Sequence, residues 1–141
     1  MAVRFFYADR KLTFKGKRQL QGFIEGIIVK EGFYMGVVNY IFCSDDFLLD
    51  INQRFLQHDY FTDIITFGLS DIGSPKIDGE IYISLDRVED NARILLQDYK
   101  KELLRVIFHG VLHLCGFRDK TKSEKQLMRN KEDEYLRLYL K

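Results

Sequence analysis

Tryptophan is absent from this 141-residue sequence, proline occurs once and cysteine twice. Each scarcity excludes something. Two cysteines, Cys43 and Cys115, cannot build a disulfide framework. Both lie in apolar runs, so reduced thiols and a cytoplasmic setting are expected. One proline, Pro75, and ten unclustered glycines argue against a long disordered linker. No apolar run reaches the length of a membrane span, and the opening MAVRFFYADRKL has no signal-peptide core, so no membrane partner is expected. An excess of one charge is lacking too. Lys and Arg number 22 against 21 Asp and Glu, a net charge of +1 that gives no global attraction to nucleic acid. A local basic face remains open.

What is present is an ordinary globular mix, 46% hydrophobic and 30% charged, with aromatic burial left to 12 Phe and 8 Tyr. The length fits one domain over residues 1–141. Residues 3–7 (VRFFY) predict a strand. Residues 15–31 predict a helix with Leu20, Phe23, Ile24 and Ile27 on one face and Gly32 as its stop. Residues 34–43 have strand composition. Ser44 can cap the next helix, where Phe47, Ile51 and Phe55 recur every four residues. Strands at 63–69 and 79–83 flank Asp71–Asp78, whose Gly73 and Pro75 suit a hairpin connection. Ser84 can open a helix to about Leu96, and Asp98 another to Leu114 that stops at Gly116. Thr121 and Glu124 have capping-box spacing before a final helix with Leu127, Leu136 and Leu140. The reading is α+β: a small mixed sheet of about four strands with about five helices. The order of the strands is not legible.

The stretch that carries chemistry is His109-Gly-Val-Leu-His113-Leu-Cys-Gly116-Phe-Arg-Asp119. Helix positions four apart share a face about 6 Å apart along the axis, so two imidazoles can converge on one ion. Gly116 permits a backbone reversal that can return Asp119 as a third ligand. Three protein ligands leave one open position, the pattern of a catalytic zinc site. Taken alone, such a histidine pair is as often only a partly buried helix pair. Two of the chain's three histidines lie here, in a strongly apolar helix where imidazoles need a reason to sit. A glycine and a carboxylate follow at once. Cys115 is a rival ligand, but it points to another helix face and reads as packing. Gly110 occupies the place where H-E-x-x-H peptidases carry their glutamate base, so peptidase chemistry lacks its base. Hydrolysis is not excluded, because a metal can lower the pKa of its water to roughly 7.

These residues closely resemble the YbeY family of bacterial rRNA maturation factors, single-strand-specific endoribonucleases with a zinc site. Residues 52–67 (NQRFLQHDYFTDIITF) are similar to its Asn…Thr-Asp block through Thr62 and Asp63. GEIYIS at 79–84 is similar to its Gly-Asp-Ile-x-Ile-Ser strand, and Met128 with Glu132 or Glu134 to its closing Met and Glu. The resemblance implies a metal helix of the zincin kind and one Zn2+ on His109, His113 and Asp119. It implies single-stranded ribosomal RNA as substrate, and the small ribosomal subunit or its proteins as partner. Two departures stand out. Asp119 replaces the family's usual third histidine, and Leu56 stands where the family usually has an arginine, a natural phosphate partner. Arg54 and His58 are the candidate catalytic stand-ins, each with a plain alternative as a solvated helix or loop residue. Arg118, Lys120, Lys122, Lys125, Arg129 and Lys131 follow the metal motif and suit a phosphate backbone or simply a solvated face, with Lys100, Lys101 and Arg105 as an extension. Two other functions compete: a weakly catalytic or non-catalytic assembly factor with a structural metal, and a non-haem iron oxygenase built on two histidines and a carboxylate.

Overall fold

A computed structural model describes residues 2–141. Its elements run β1 (Ala2–Tyr7), α1 (Lys17–Lys30), β2 (Tyr34–Cys43), α2 (Asp45–Leu56), β3 (Ile64–Gly68), β4 (Lys76–Ser84), α3 (Leu85–Ile94), α4 (Tyr99–Leu114) and α5 (Lys122–Leu140). The four strands and five helices among the described residues match the expected α+β inventory. The caps are chemical. Ser44, Ser84 and Asp98 accept from the backbone N–H groups of Phe47, Arg87 and Lys101, each at 3.1 Å. Thr121 and Glu124 form a complete capping box. Caps of this kind contribute about 1 kcal/mol each.

Sheet order was the part the sequence left open. It is β1-β2-β4-β3, with β1, β2 and β4 parallel and β3 antiparallel at one edge. β4 begins at Lys76, three residues before the expected start. Its first residues pair with Tyr34 and Met35 across a bulge in β2. Asp78 fills that bulge, its Oδ1 accepting from the Val37 N–H at 2.8 Å. Gly36 makes room, since a Cβ there would lie 2.2 Å from the same oxygen. Ile77 is buried in the same alternating row as Ile81 and Ile83, but Gly79 interrupts that row and hides the first residues of β4 from the hydrophobic pattern.

One sheet face holds the main core. Val38, Tyr40, Phe42, Ile81 and Ile83 meet Leu20, Ile24 and Ile27 of α1 and Ile107, Phe108 and Val111 of α4. The buried Tyr40 hydroxyl donates to the Ile107 carbonyl at 2.7 Å, tying β2 to α4. On the other face, Leu48 and Ile51 of α2 cover Cys43 and Ile65.

Close approach of α4 to the sheet depends on Gly110. A Cβ there would lie 2.8 Å from Ile81 Cγ2 and 3.0 Å from Ile64 Cδ1. Position 110 thus faces packed isoleucines, which explains in this fold why no glutamate base follows His109. Gly110→Ala gains roughly 1 kcal/mol of helix propensity but incurs an overpacking cost of about 1–3 kcal/mol. A net loss of about 1 kcal/mol is expected in chemical denaturation. Equal or higher stability would mean that Ile81 rotates aside.

Candidate metal centre

α4 presents His109 and His113 one turn apart, their ring centroids 4.6 Å apart and their planes at 83°. Beyond them the helix stops as expected. Gly116, at φ +100°, donates to the His113 carbonyl at 3.0 Å, and Phe117 donates to Leu112 at 3.1 Å. This pair of bonds is a Schellman ending, which needs a left-handed residue after the C-cap. Five residues on, the backbone N–H groups of Lys120 and Thr121 donate to Glu124 Oε1 at 3.2 and 2.9 Å. Asp119 sits on the link between these two fixed ends.

The reversal brings Asp119 Oδ2 to 3.4 Å from His109 Nε2 and 3.5 Å from His113 Nε2. One ligand atom from each residue falls within 4.8 Å of the others. Bonds of about 2.0–2.1 Å to a tetrahedral ion would separate ligand atoms by roughly 3.3 Å. The donor set therefore fits one divalent metal ion. Cys115 is not in this group. Its thiol is buried and pushed up to about 12 by that burial, aided by the charge of Glu31. It behaves as a packing residue.

Behind His109 lies Glu132 of α5. Its Oε2 is 2.6 Å from His109 Nδ1, and its Oε1 accepts from Arg105 Nη1 at 3.0 Å. With the Nδ1 proton donated to this carboxylate, His109 Nε2 keeps its lone pair toward Asp119. Burial pulls the His109 pKa down, but the hydrogen bond and charge of Glu132, with Asp119 and Asp63, leave it raised. His113 is lowered, first by burial and then by His109. Burial also raises Asp63, against the charge of His109. The sequence pointed to Glu132 only through resemblance, as one of two glutamates. No local spacing reveals it, because it lies one helix away.

These groups line an open cleft of about 1190 Å3, bounded by the α2–β3 loop, β3, α4 and α5. His58 and Leu56 line it, whereas Arg54 is not among its lining residues. Arg54 is largely exposed and paired with Asp50 at 3.1 Å. Of the basic stretch, Lys125 and Arg129 face the cleft. Lys131 is drawn away to Glu31, at 3.1 Å. Arg105 lines the cleft but is committed to Glu132 and Asp133, so it does not extend a free basic face.

Fold and site together define a small α+β protein with a two-histidine, one-carboxylate group at the end of its central helix. The family model described as Endoribonuclease YbeY matches residues 8–139. The chain is 47% identical to the endoribonuclease YbeY of Cytophaga hutchinsonii, covering 96% of this chain and 94% of that one. It is 42% identical to that of Parabacteroides distasonis, with the same coverage. The solution structure of a Thermotoga maritima protein superposes with a TM-score of 0.68 at 32% identity, over 95% of this chain and 86% of the other. The chain belongs to the endoribonuclease YbeY family.

Asp119→Ala should weaken metal affinity by at least tenfold, Asp119→His should keep it, and Cys115→Ser should not change it. Competition with a chromogenic chelator reads all three. Unchanged affinity in Asp119→Ala would remove Asp119 from the ligand set.

Proposed function

We propose that residues 1–141 form a single domain, a metal-dependent endoribonuclease that cleaves single-stranded RNA in rRNA processing and ribosome maturation. The observation that carries the reading is the convergence of His109, His113 and Asp119 inside the cleft of a chain of this family. Zinc is the ion assigned, since two imidazoles and a carboxylate suit it. When bound, a divalent ion supplies nucleophile activation and stabilises charge on the phosphate. The chain's own residues do the rest. Glu132 orients His109, and Lys125 and Arg129 offer cations to the RNA backbone along the cleft. Of the two stand-ins for the missing arginine, His58 lines the cleft and Arg54 does not, so of the two only His58 is placed to touch the RNA. Ribosomal RNA and the small ribosomal subunit or its proteins are the partners assigned. The cytoplasm is the setting assigned, in keeping with two free buried cysteines. Among the described residues no helix is long and apolar enough to cross a membrane. Family membership speaks against an iron oxygenase.

One observation favours a second reading, an assembly factor that binds RNA and scarcely cuts it. Leu56 places an apolar side chain on the cleft where the family usually has arginine. Cleavage of a labelled single-stranded RNA, with and without chelator, separates the two. The endonuclease reading expects cleavage that chelation abolishes and zinc restores. Binding without cleavage supports the assembly factor. Cleavage that survives chelation, or neither activity, overturns the reading.

A further inference from the structure

The loop between α2 and β3 carries a feature that hydrolysis leaves unused. The rings of His58 and Tyr60 stack, with centroids 5.1 Å apart and planes within 21°. The Tyr60 hydroxyl lies 3.0 Å from His58 Nδ1. Both side chains are exposed, Tyr60 by 56%, and both line the cleft that holds the His109–His113–Asp119 group. Neither belongs to the hydrophobic core. A stacked aromatic pair facing solvent forgoes burial, so packing does not account for it.

The backbone beneath the pair is pinned. Gln57, at φ +56°, ends α2, and the His58 N–H donates to the Asn52 carbonyl at 3.1 Å. Asn52 is only 1% exposed, and its Nδ2 donates to the Tyr60 carbonyl at 2.9 Å. Gln53 Nε2 donates to Asp59 Oδ1 at 2.6 Å. One buried residue thus fixes both ends of the His58–Tyr60 segment, Asn52 accepting at its backbone carbonyl and donating from its side-chain amide, and the segment is held in place before anything binds.

We propose that His58 and Tyr60 form a ledge on which one base of single-stranded RNA stacks while its backbone passes the metal centre. The proposal rests on the ribonuclease reading and names how its substrate is gripped. Every base presents a flat π face, and single-strand sites combine such platforms with cations that track phosphates. Lys125 and Arg129 line the same cleft and supply the cations. In a duplex the base faces are buried in their own stack, so the ledge selects unpaired RNA. His58 is then a binding residue whose ring matters, rather than a carrier of a proton or a partner for phosphate.

The test uses the full-length protein as purified and a short single-stranded RNA containing one 2-aminopurine. Stopped-flow mixing reads its fluorescence before cleavage, and anisotropy gives affinity. Wild type should quench the probe. Tyr60→Ala and His58→Ala should each bind about tenfold more weakly and lose the quenching. Tyr60→Phe and His58→Phe should retain both, because stacking needs only the ring. The ledge is overturned if the alanine variants bind and quench like wild type. It is also overturned if His58→Phe is as weak as His58→Ala, since the contact would then belong to the imidazole's charge or hydrogen bonds. Wild type that cleaves RNA while the alanine variants bind normally removes the ledge alone. Wild type that neither binds nor cleaves removes the ribonuclease reading with it.

Discussion

His113→Ala should reduce the metal content of the purified protein from close to one ion per chain to a small fraction, and abolish RNA cleavage with it. Two ligands, His109 and Asp119, would remain, and their ligand atoms are 3.4 Å apart. A pair of ligands holds a divalent ion far more weakly than three, so a loss of two orders of magnitude or more in affinity is the expected scale. The fold should survive. His113 keeps 28% of its side chain exposed, while α4 is anchored by Val106, Ile107, Phe108 and Val111. Removing a half-buried imidazole leaves no closed cavity, so the change in stability should stay near 1 kcal/mol. Elemental analysis beside a thermal melt reads both quantities. If His109→Ala combined with His113→Ala kept a full equivalent of metal, the ion would have to lie elsewhere.

Local chemistry made much of this protein legible in its sequence. The caps at Ser44, Ser84, Asp98 and Thr121, and the stop at Gly116, depend on residues within five positions of one another, and each stands where expected. The convergence of His109, His113 and Asp119 was legible for a related reason, because helix periodicity joins His109 to His113 and the glycine turn returns Asp119 to both. Contacts between distant segments were not legible. The central place of β4 and the reach of Glu132 to His109 are tertiary facts without a local period. Alternation marked the strand at 79–83 but not its beginning at Lys76, because Gly79 interrupts the buried row of Ile77, Ile81 and Ile83 and Asp78 satisfies a bulge. The basic stretch shows the same limit. Residue identity suggested one row of cations, and packing divided it between cleft-facing Lys125 and Arg129 and internally paired Lys131 and Arg105.

Glu132 tests how far the metal centre depends on a residue that touches no ion. Its side chain is 6% exposed and serves two partners, His109 Nδ1 at 2.6 Å and Arg105 Nη1 at 3.0 Å. Glu132→Ala should therefore act twice. Freed from its partner, His109 can turn and change tautomer, and loss of such an outer carboxylate typically lowers metal affinity about 10–100-fold. Arg105, only 12% exposed, loses one counter-charge but keeps Asp133 at 2.8 Å. Breaking a buried pair costs about 3–5 kcal/mol, so with Asp133 still in place the lower end, about 3 kcal/mol, is expected. Glu132→Gln separates the two effects. The amide keeps the volume and can accept one hydrogen bond, so stability should recover in part while affinity stays depressed. A pH series on metal-free protein adds a signature. Because Glu132 helps raise His109 above its ordinary value of 6.5, folding gains stability that is fully present below that value. The gain fades as pH rises through the folded pKa. In Glu132→Ala that fading should shrink or vanish. If Glu132→Ala matched wild type in metal affinity and in this pH dependence, the carboxylate would be a packing residue alone, and the orientation of His109 would have to come from elsewhere.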